Sequence, residues 1–161
     1  MKKLIFLACL GAIVYFGFVQ SYFKRDFHFN GEVYSHVKKV SLGNVVNHFY
    51  TPNGDDVNDA VSAIQILELN ENIQKNQWGS ELKPIIDGYG LKSFKGDGSD
   101  FAGNFERGGL FFKSYAVPIH IDGQDHMIIY LFIPENNEET DSSKRKIDTI
   151  KQLKLVESSF T

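Results

Sequence analysis

The stretch that decides the fold reads LFFKSYAVPIHI (Leu110–Ile121), DG (Asp122–Gly123) and QDHMIIYLFI (Gln124–Ile133). Two apolar runs flank an Asp-Gly dipeptide, which favours the positive φ angles of a type I′ turn between antiparallel strands. The stretch therefore predicts a β-hairpin, and the two-residue turn sets its register. The expected pairs are Ile121 with Gln124, Ile119 with His126, Val117 with Ile128, and Tyr115 with Tyr130.

Both faces of this hairpin are largely apolar. Tyr115 and Val117 share one face, whereas Phe112 and Ala116 share the other. Strands that bury both faces need a layer on each side, so we expect helices on one side and further sheet or a partner on the other. Pro118 has no backbone N–H to donate, which predicts a bulge or an unpaired edge at that position.

A second hairpin signal lies nearer the start of the chain. Asn30-Gly31 separates Phe27–Phe29 from Glu32–Tyr34, and Asn-Gly also favours a type I′ turn. The stretch that follows, Val37–Val46, is expected to form another strand or an irregular connection.

Apolar residues at helical spacing predict a helix after the turn at Pro52–Asp56, where an Asp can cap the first free N–H groups. The buried stripe of this helix would follow the i, i+3, i+4, i+7 rhythm. It comprises Val57, Ala60, Val61, Ile64 and Leu67. A strand over Ile64–Leu69 is the alternative, and we favour the helix.

The remaining elements are two helices and a loop. Ser80–Gly90 predicts a short helix that its glycines end, and residues 95–104 predict a loop. A closing helix begins at Ser142 or Ser143, with Leu153–Phe160 as an alternative terminal strand. Together the elements predict an α+β fold with a mainly antiparallel sheet and two or three helices, preceded by an N-terminal transmembrane or signal helix.

The N-terminal segment carries the information on location. Lys2 and Lys3 precede Leu4–Phe23, twenty residues without a charge. A transmembrane helix needs about 20 such residues. We therefore predict a membrane anchor or signal segment over residues 1–23 and a single extracytoplasmic α+β domain over residues 24–161.

A cleaved secretory signal is the alternative, with secretion after cleavage near Ser21. Bulky aromatics such as Phe18 and Tyr22 suit a membrane interface better than a cleavage site, so we favour the anchor. A lysine-led first segment followed by a domain places that domain on the periplasmic side of a bacterial inner membrane.

The domain that follows the segment is acidic. The chain has 17 basic and 20 acidic residues, and Lys2 and Lys3 are two of the basic ones. Residues 24–161 therefore carry 15 basic against 20 acidic residues, a net charge of −5. This balance argues against nucleic-acid binding, which needs a basic footprint. The domain has no cysteine, so it can form neither a disulfide nor a thiolate metal site.

Histidines are the remaining candidates for chemistry. His120 falls opposite Asp125 in the hairpin register, and His126 follows. A carboxylate beside an imidazole can orient it as a base or a zinc ligand, although a surface cross-strand pair is the simpler interpretation. We predict no catalytic residue, metal or cofactor, and keep His120, Asp125 and His126 as an alternative site.

One loop resembles a calcium site in composition alone. It contains Asp97, Ser99, Asp100 and Asn104, but Phe101 stands where the calcium-loop spacing requires an oxygen ligand. Gly, Asp and Ser together are ordinary turn residues, so we assign no calcium to this loop.

These observations favour an envelope protein that binds another protein over an enzyme. The sharpest version is an immunity protein that neutralises a basic toxin, an expectation that rests on the class of small, acidic, anchored domains and on no single residue. The alternatives are an envelope hydrolase, or a small-molecule or ion sensor domain, that uses His120 or His126 with nearby carboxylates. Membrane contact would come through Leu4–Phe23.

Overall fold

The computed structural model describes Phe23 and residues 25–69, 77–93, 100–134 and 143–160. The predicted N-terminal anchor or signal helix lies outside the described residues, except for Phe23. Within the described ranges, no helix combines the length and the apolar character needed to cross a membrane.

The described residues form eight strands in one antiparallel sheet, which curves into a half-barrel. The order across the sheet is β1-β2-β3-β4-β8-β7-β6-β5, so β4 and β8 lie at its centre. The strands are β1 (Phe27–Phe29), β2 (Glu32–Leu42), β3 (Val45–Pro52), β4 (Ser62–Leu69), β5 (Lys92–Ser93), β6 (Phe101–Arg107), β7 (Leu110–Ile121) and β8 (Gln124–Phe132).

The predicted β7–β8 hairpin is confirmed, and its register is the expected one from Ile121–Gln124 to Tyr115–Tyr130. Asp122 has φ 49° and Gly123 has φ 80°, the two positive angles of a type I′ turn. Pro118 is exposed and lies beyond Ala116, where the pairing of β7 with β6 ends. It therefore occupies a local edge, as its missing N–H predicts.

One predicted element in the N-terminal half differs from the structure. The helix predicted over Val57–Leu67 is wrong, because Ser62–Leu69 is the central strand β4. Seven of its eight residues are buried, since β3 and β8 flank it and both faces are covered. A strand buried on both faces has no apolar–polar alternation, so its aliphatic residues matched the helical spacing by chance.

The hairpin at Asn30-Gly31 is confirmed, and the strand interpretation of Val37–Val46 holds through β2 and β3. The loop predicted over residues 95–104 is wrong from Phe101 onward, where β6 begins. A terminal strand over Leu153–Phe160 is also wrong. This stretch ends a helix and continues as a 3₁₀ turn at Val156–Ser159.

Two helices cover the two faces of the sheet, which confirms the α+β class with a mainly antiparallel sheet. Helix α1 (Trp78–Gly88) packs through Leu82 against one face. Helix α2 (Ser143–Leu155) packs through Ile150 and Leu153 against the other. Each face of the β7–β8 hairpin thus meets a helix, whereas we had expected helices on one side only.

Backbone contact between two glycines fixes the end of α1 against β6. A Cβ on Gly90 would lie 2.1 Å from the carbonyl oxygen of Asn104, and a Cβ on Gly103 would lie 2.2 Å from the carbonyl oxygen of Gly90. Gly90 also has φ 61°. Only glycine allows this approach, which holds Tyr89 and Leu91 over the sheet.

Candidate functional site

The predicted histidine site divides between the two faces of the sheet. His120 Nδ1 donates to Asp125 Oδ1 over 2.9 Å on an exposed part of the hairpin, where the His120 side chain is 56% exposed. His126 is buried on the α2 face, where its ring contacts Phe23. Adjacent residues of a strand point to opposite faces, so Asp125 and His126 cannot serve one site.

The surroundings of His126 are those of a core histidine. Its Nδ1 lies 3.0 Å from the carbonyl oxygen of Gln124, and because a carbonyl only accepts, Nδ1 carries the proton. Burial lowers the pKa of His126 below its ordinary value of 6.5. The neutral imidazole is therefore the favoured form at neutral pH.

A concave groove lies on the α1 face, and none of the five histidines lines it. This groove has a volume of about 870 Å³. One wall is the β3–β4 connection, residues 53–61, and the opposite wall is the β6–β7 hairpin. Strand β4 supplies the floor with Ala63 and Gln65.

Aromatic rings form the walls of the groove. Phe105 stacks on Phe112 with 5.0 Å between ring centroids, and Tyr89 packs against Phe105 at 5.1 Å. Phe49 closes the side nearest β2. Four aromatic side chains therefore face an open space, which gives the groove a large apolar contact area.

A hydrogen-bonded network fixes the polar part of the floor. Asn47 Nδ2 donates to Gln65 Oε1 over 2.7 Å, and Gln65 Nε2 donates to the Tyr89 hydroxyl over 2.8 Å. Burial raises the pKa of the Tyr89 hydroxyl, so it stays protonated. Gln65 and Tyr89 thus present oriented polar groups at the base of an aromatic groove.

A β-bulge directs two residues of β2 into the groove. The pairing of β2 with β3 shifts between His36 and Lys38, so Val37 and Lys38 both face Phe49. Arg107 contributes a second cation from β6. The bulge is thus a local irregularity that shapes the rim of the site.

The other side of the rim is acidic. Asp55, Asp56 and Asp59 line the β3–β4 connection. This connection is ordered by its own hydrogen bonds, since Thr51 Oγ1 donates to the Asp55 carbonyl over 2.6 Å and Asn58 donates to Asp56 Oδ1 over 2.9 Å. The connection that carries the three carboxylates is therefore ordered, and it places them on one lip of the groove.

The calcium-like composition near Asp100 has a different role in the structure. Asp100 is fully buried, and its Oδ1 lies 2.7 Å from Lys154 Nζ at the end of α2. Asn104 lies exposed on β6, while Asp97 and Ser99 are outside the described residues. Among the described side chains, no group of three or more His, Cys, Asp or Glu could hold a metal ion.

Sequence reasoning missed the groove, because its residues come from six separate strands and from several connections between elements. Val37, Gln65 and Phe105 are far apart in the chain and meet only through the strand order. The one local signal was Asn53-Gly54, a type I′ dipeptide with φ 54° and 78°. It indicated a reversal into another strand at the point where we predicted a helix.

No protein-family model, no curated protein and no solved structure gave a significant match.

Proposed function

We propose that the protein is a membrane-anchored protein of the bacterial envelope, with its domain on the periplasmic side, that binds another protein through the groove on the α1 face. The observation that carries the proposal is the groove itself. It combines aromatic walls with an acidic lip formed by Asp55, Asp56 and Asp59. Leu4–Phe23 is the proposed anchor, with cleavage near Ser21 as the alternative.

The groove suits an amphipathic element of a partner. Its four aromatic rings would bury an apolar side chain, and such rings dominate the energetics of many protein interfaces. Leu110 lines the groove and is 51% exposed, so apolar surface extends onto the rim. A basic side chain beside that anchor would meet the acidic lip.

The charge of the domain favours a basic partner. Residues 24–161 carry a net charge of −5, which accelerates the encounter with a positively charged protein. An immunity protein that neutralises a basic toxin delivered to the envelope is the specific form of this proposal. It predicts that the captured partner is toxic in the periplasm of cells that lack this protein.

Photocrosslinking in cells tests the proposal. A benzophenone amino acid replaces Leu110 at the groove rim, or Leu155, which is 68% exposed on α2, as the matched control. We expect one protein adduct at position 110, in the carbonate-washed membrane fraction, and a weaker or absent adduct at position 155. Adding Asp55→Lys should reduce the adduct at position 110.

Three results would contradict the proposal. They are no protein adduct at position 110, equal adducts at both positions, and an adduct that Asp55→Lys leaves unchanged. Recovery of the protein as a soluble species that begins at Tyr22 would replace the anchor with the cleaved signal.

A small-molecule sensor is the second candidate, and the groove volume favours it. Ligand sites commonly measure about 300–1,000 Å³ and combine apolar walls with a few oriented polar groups. At about 870 Å³, with Gln65 and Tyr89 on its base, the groove satisfies this description. A low-mass adduct at position 110, with no protein adduct, would select this candidate.

A further inference from the structure

The α2 face of the sheet carries a row of ionisable side chains at one end of the apolar core. The row crosses four neighbouring strands in the order β2, β3, β4 and β8. Its members are His36, His48, Glu68 and His126. His48 and His126 are each only 3% exposed, so this end of the core holds imidazoles where aliphatic and aromatic residues fill the rest.

Phe23 covers this row. Its ring stacks on His48 with 4.1 Å between centroids and lies 5.6 Å from the ring of His126. The Tyr50 hydroxyl donates to the Phe23 carbonyl over 2.7 Å. Phe23 itself is 6% exposed, so the last residue of the predicted N-terminal segment is packed into the domain.

The row contains one carboxylate for several imidazoles. His48 Nε2 donates to Glu68 Oε2 over 3.1 Å, and this hydrogen bond lowers the pKa of Glu68, which therefore stays ionised. Glu68 also lies opposite His126 in the β4–β8 register. An imidazolium at His126 would be buried beneath Phe23 and would share the Glu68 carboxylate with His48. Burying that charge is costly even with a shared counter-ion.

Among the described residues, the other charged groups near the row do not outweigh the cost of burial. Lys39 lies opposite His48 in the β2–β3 register and adds positive charge near Glu68. Asp125 favours the charged form of its neighbour His126, although its carboxylate accepts from His120 on the opposite face. Arg25 and Asp26, which follow Phe23, are exposed and opposite in sign. Tyr50 stays neutral because burial raises its pKa.

Apolar contact covers the opposite side of Phe23. Phe160, after the 3₁₀ turn, packs 6.1 Å from the ring of Phe23. The carboxylate of Glu157 in that turn accepts from the backbone N–H of His120 on the exposed side of β7. The cation–π attraction of an imidazolium to Phe23 is smaller than the cost of burying that imidazolium.

We propose that Phe23 is a proton-released latch: protonation of His126 beneath its ring undocks Phe23 from the core and frees the domain from the segment that precedes it. Nδ1 of neutral His126 already carries a proton that it donates to Gln124, so the added proton goes to Nε2 and gives an imidazolium in the buried row. Undocking returns that charge to water.

The latch has a consequence for the anchored protein, which rests on the proposed function. With Phe23 docked, the domain is held at the exit of the membrane segment. With Phe23 released, this contact between the domain and the proposed anchor is lost, and the domain gains reach and rotational freedom. An acidic exterior would therefore change how the groove is presented.

The direction of the pH effect follows from burial. The neutral form of His126 is favoured when Phe23 is docked, and the ordinary pKa near 6.5 returns when the site opens. Docking is therefore complete above pH 6.5 and weakens as the pH falls below 6.5. For one histidine, the docking constant falls up to about tenfold per pH unit until the docked-state pKa is reached.

Fluorine NMR of the full chain in lipid nanodiscs tests the latch. A trifluoromethyl-phenylalanine replaces Phe23 or, as a control, Phe29, which lies in the same core and packs on Tyr34 and Tyr130 instead of the histidines. Between about pH 8 and pH 5, across the titration range of histidine, we expect a solvent-exposed resonance to grow for position 23 and none for position 29.

Two substitutions should change the released fraction of position 23 in opposite directions. His126→Gln cannot acquire a charge and should keep position 23 docked at acidic pH. Glu68→Gln removes the neighbouring carboxylate and should increase the released fraction at the same pH. The latch is overturned by a position-23 spectrum that does not change with pH, by an unchanged response in His126→Gln, or by simultaneous exposure of position 29, which would show global unfolding.

Because the readout is confined to the core around residue 23, it separates the latch from the proposed function. A negative result leaves the groove as a binding site, and a failure of groove crosslinking leaves the latch in place.

Discussion

At the scale of single residues, two lysine–carboxylate pairs of similar length should contribute very differently to the stability of the protein. Lys154 Nζ lies 2.7 Å from the fully buried Asp100, whereas Lys83 Nζ lies 2.9 Å from Asp87 with both side chains more than half exposed. Removing the lysine takes a neutralising cation away from a buried carboxylate, but an exposed pair is solvated with or without its partner. Distance alone therefore does not rank the two pairs.

Lys154→Met should lower the free energy of unfolding by about 2–4 kcal/mol, somewhat less than for a fully buried pair because water reaches Lys154. Lys83→Met, the matched control, should cost about 0.5 kcal/mol or less. Urea denaturation of the full chain in detergent, followed by circular dichroism, measures both. Equal losses for the two variants would contradict the burial of the Asp100 charge.

At the scale of elements, the type I′ turn of the β7–β8 hairpin depends on the backbone conformation of its own two residues. Gly123 has φ 80°, and a Cβ at this position would meet no atom within 4 Å. A side chain there would be strained by the backbone conformation and not by a clash. A substitution at Gly123 therefore tests the backbone geometry of the turn without disturbing side-chain packing.

Gly123→Val should destabilise the protein by about 1–2 kcal/mol through the left-handed backbone penalty. Gly79→Ala in α1 is the control, because Gly79 has no positive φ and open space around it, and alanine favours a helix. Thermal unfolding should show a melting temperature several degrees lower for Gly123→Val and no decrease for Gly79→Ala. Equal melting temperatures for wild type and Gly123→Val would remove the I′ assignment.

The elements also show what the sequence could predict. The hairpins at Asn30-Gly31 and Asp122-Gly123 were predictable because two adjacent residues determine the turn and the register follows. Strand β4 was not, since burial on both faces hides the period of two. The groove was missed for a different reason. Phe49, Gln65 and Phe112 come together only when β3, β4, β8 and β7 are placed in order.

At the scale of the whole molecule, the half-barrel places two histidine features and one groove in separate regions. The His120–Asp125 pair lies on an exposed turn, the buried row lies under Phe23, and the groove opens on the α1 face. The proposed function therefore uses the groove and neither of the histidine features. The central claim is that association with a partner depends on the groove and its acidic lip.

The most direct test is the association rate between the full chain in nanodiscs and its purified crosslinked partner, measured at low and high salt. Asp55→Lys should slow association about two- to tenfold at low salt and have less effect at high salt. Asp148→Lys, the same charge change at an exposed position of α2, should have a smaller effect, and His120→Ala should have none. The account would be contradicted if Asp55→Lys and Asp148→Lys behaved alike, or if His120→Ala abolished association or protection with the fold intact.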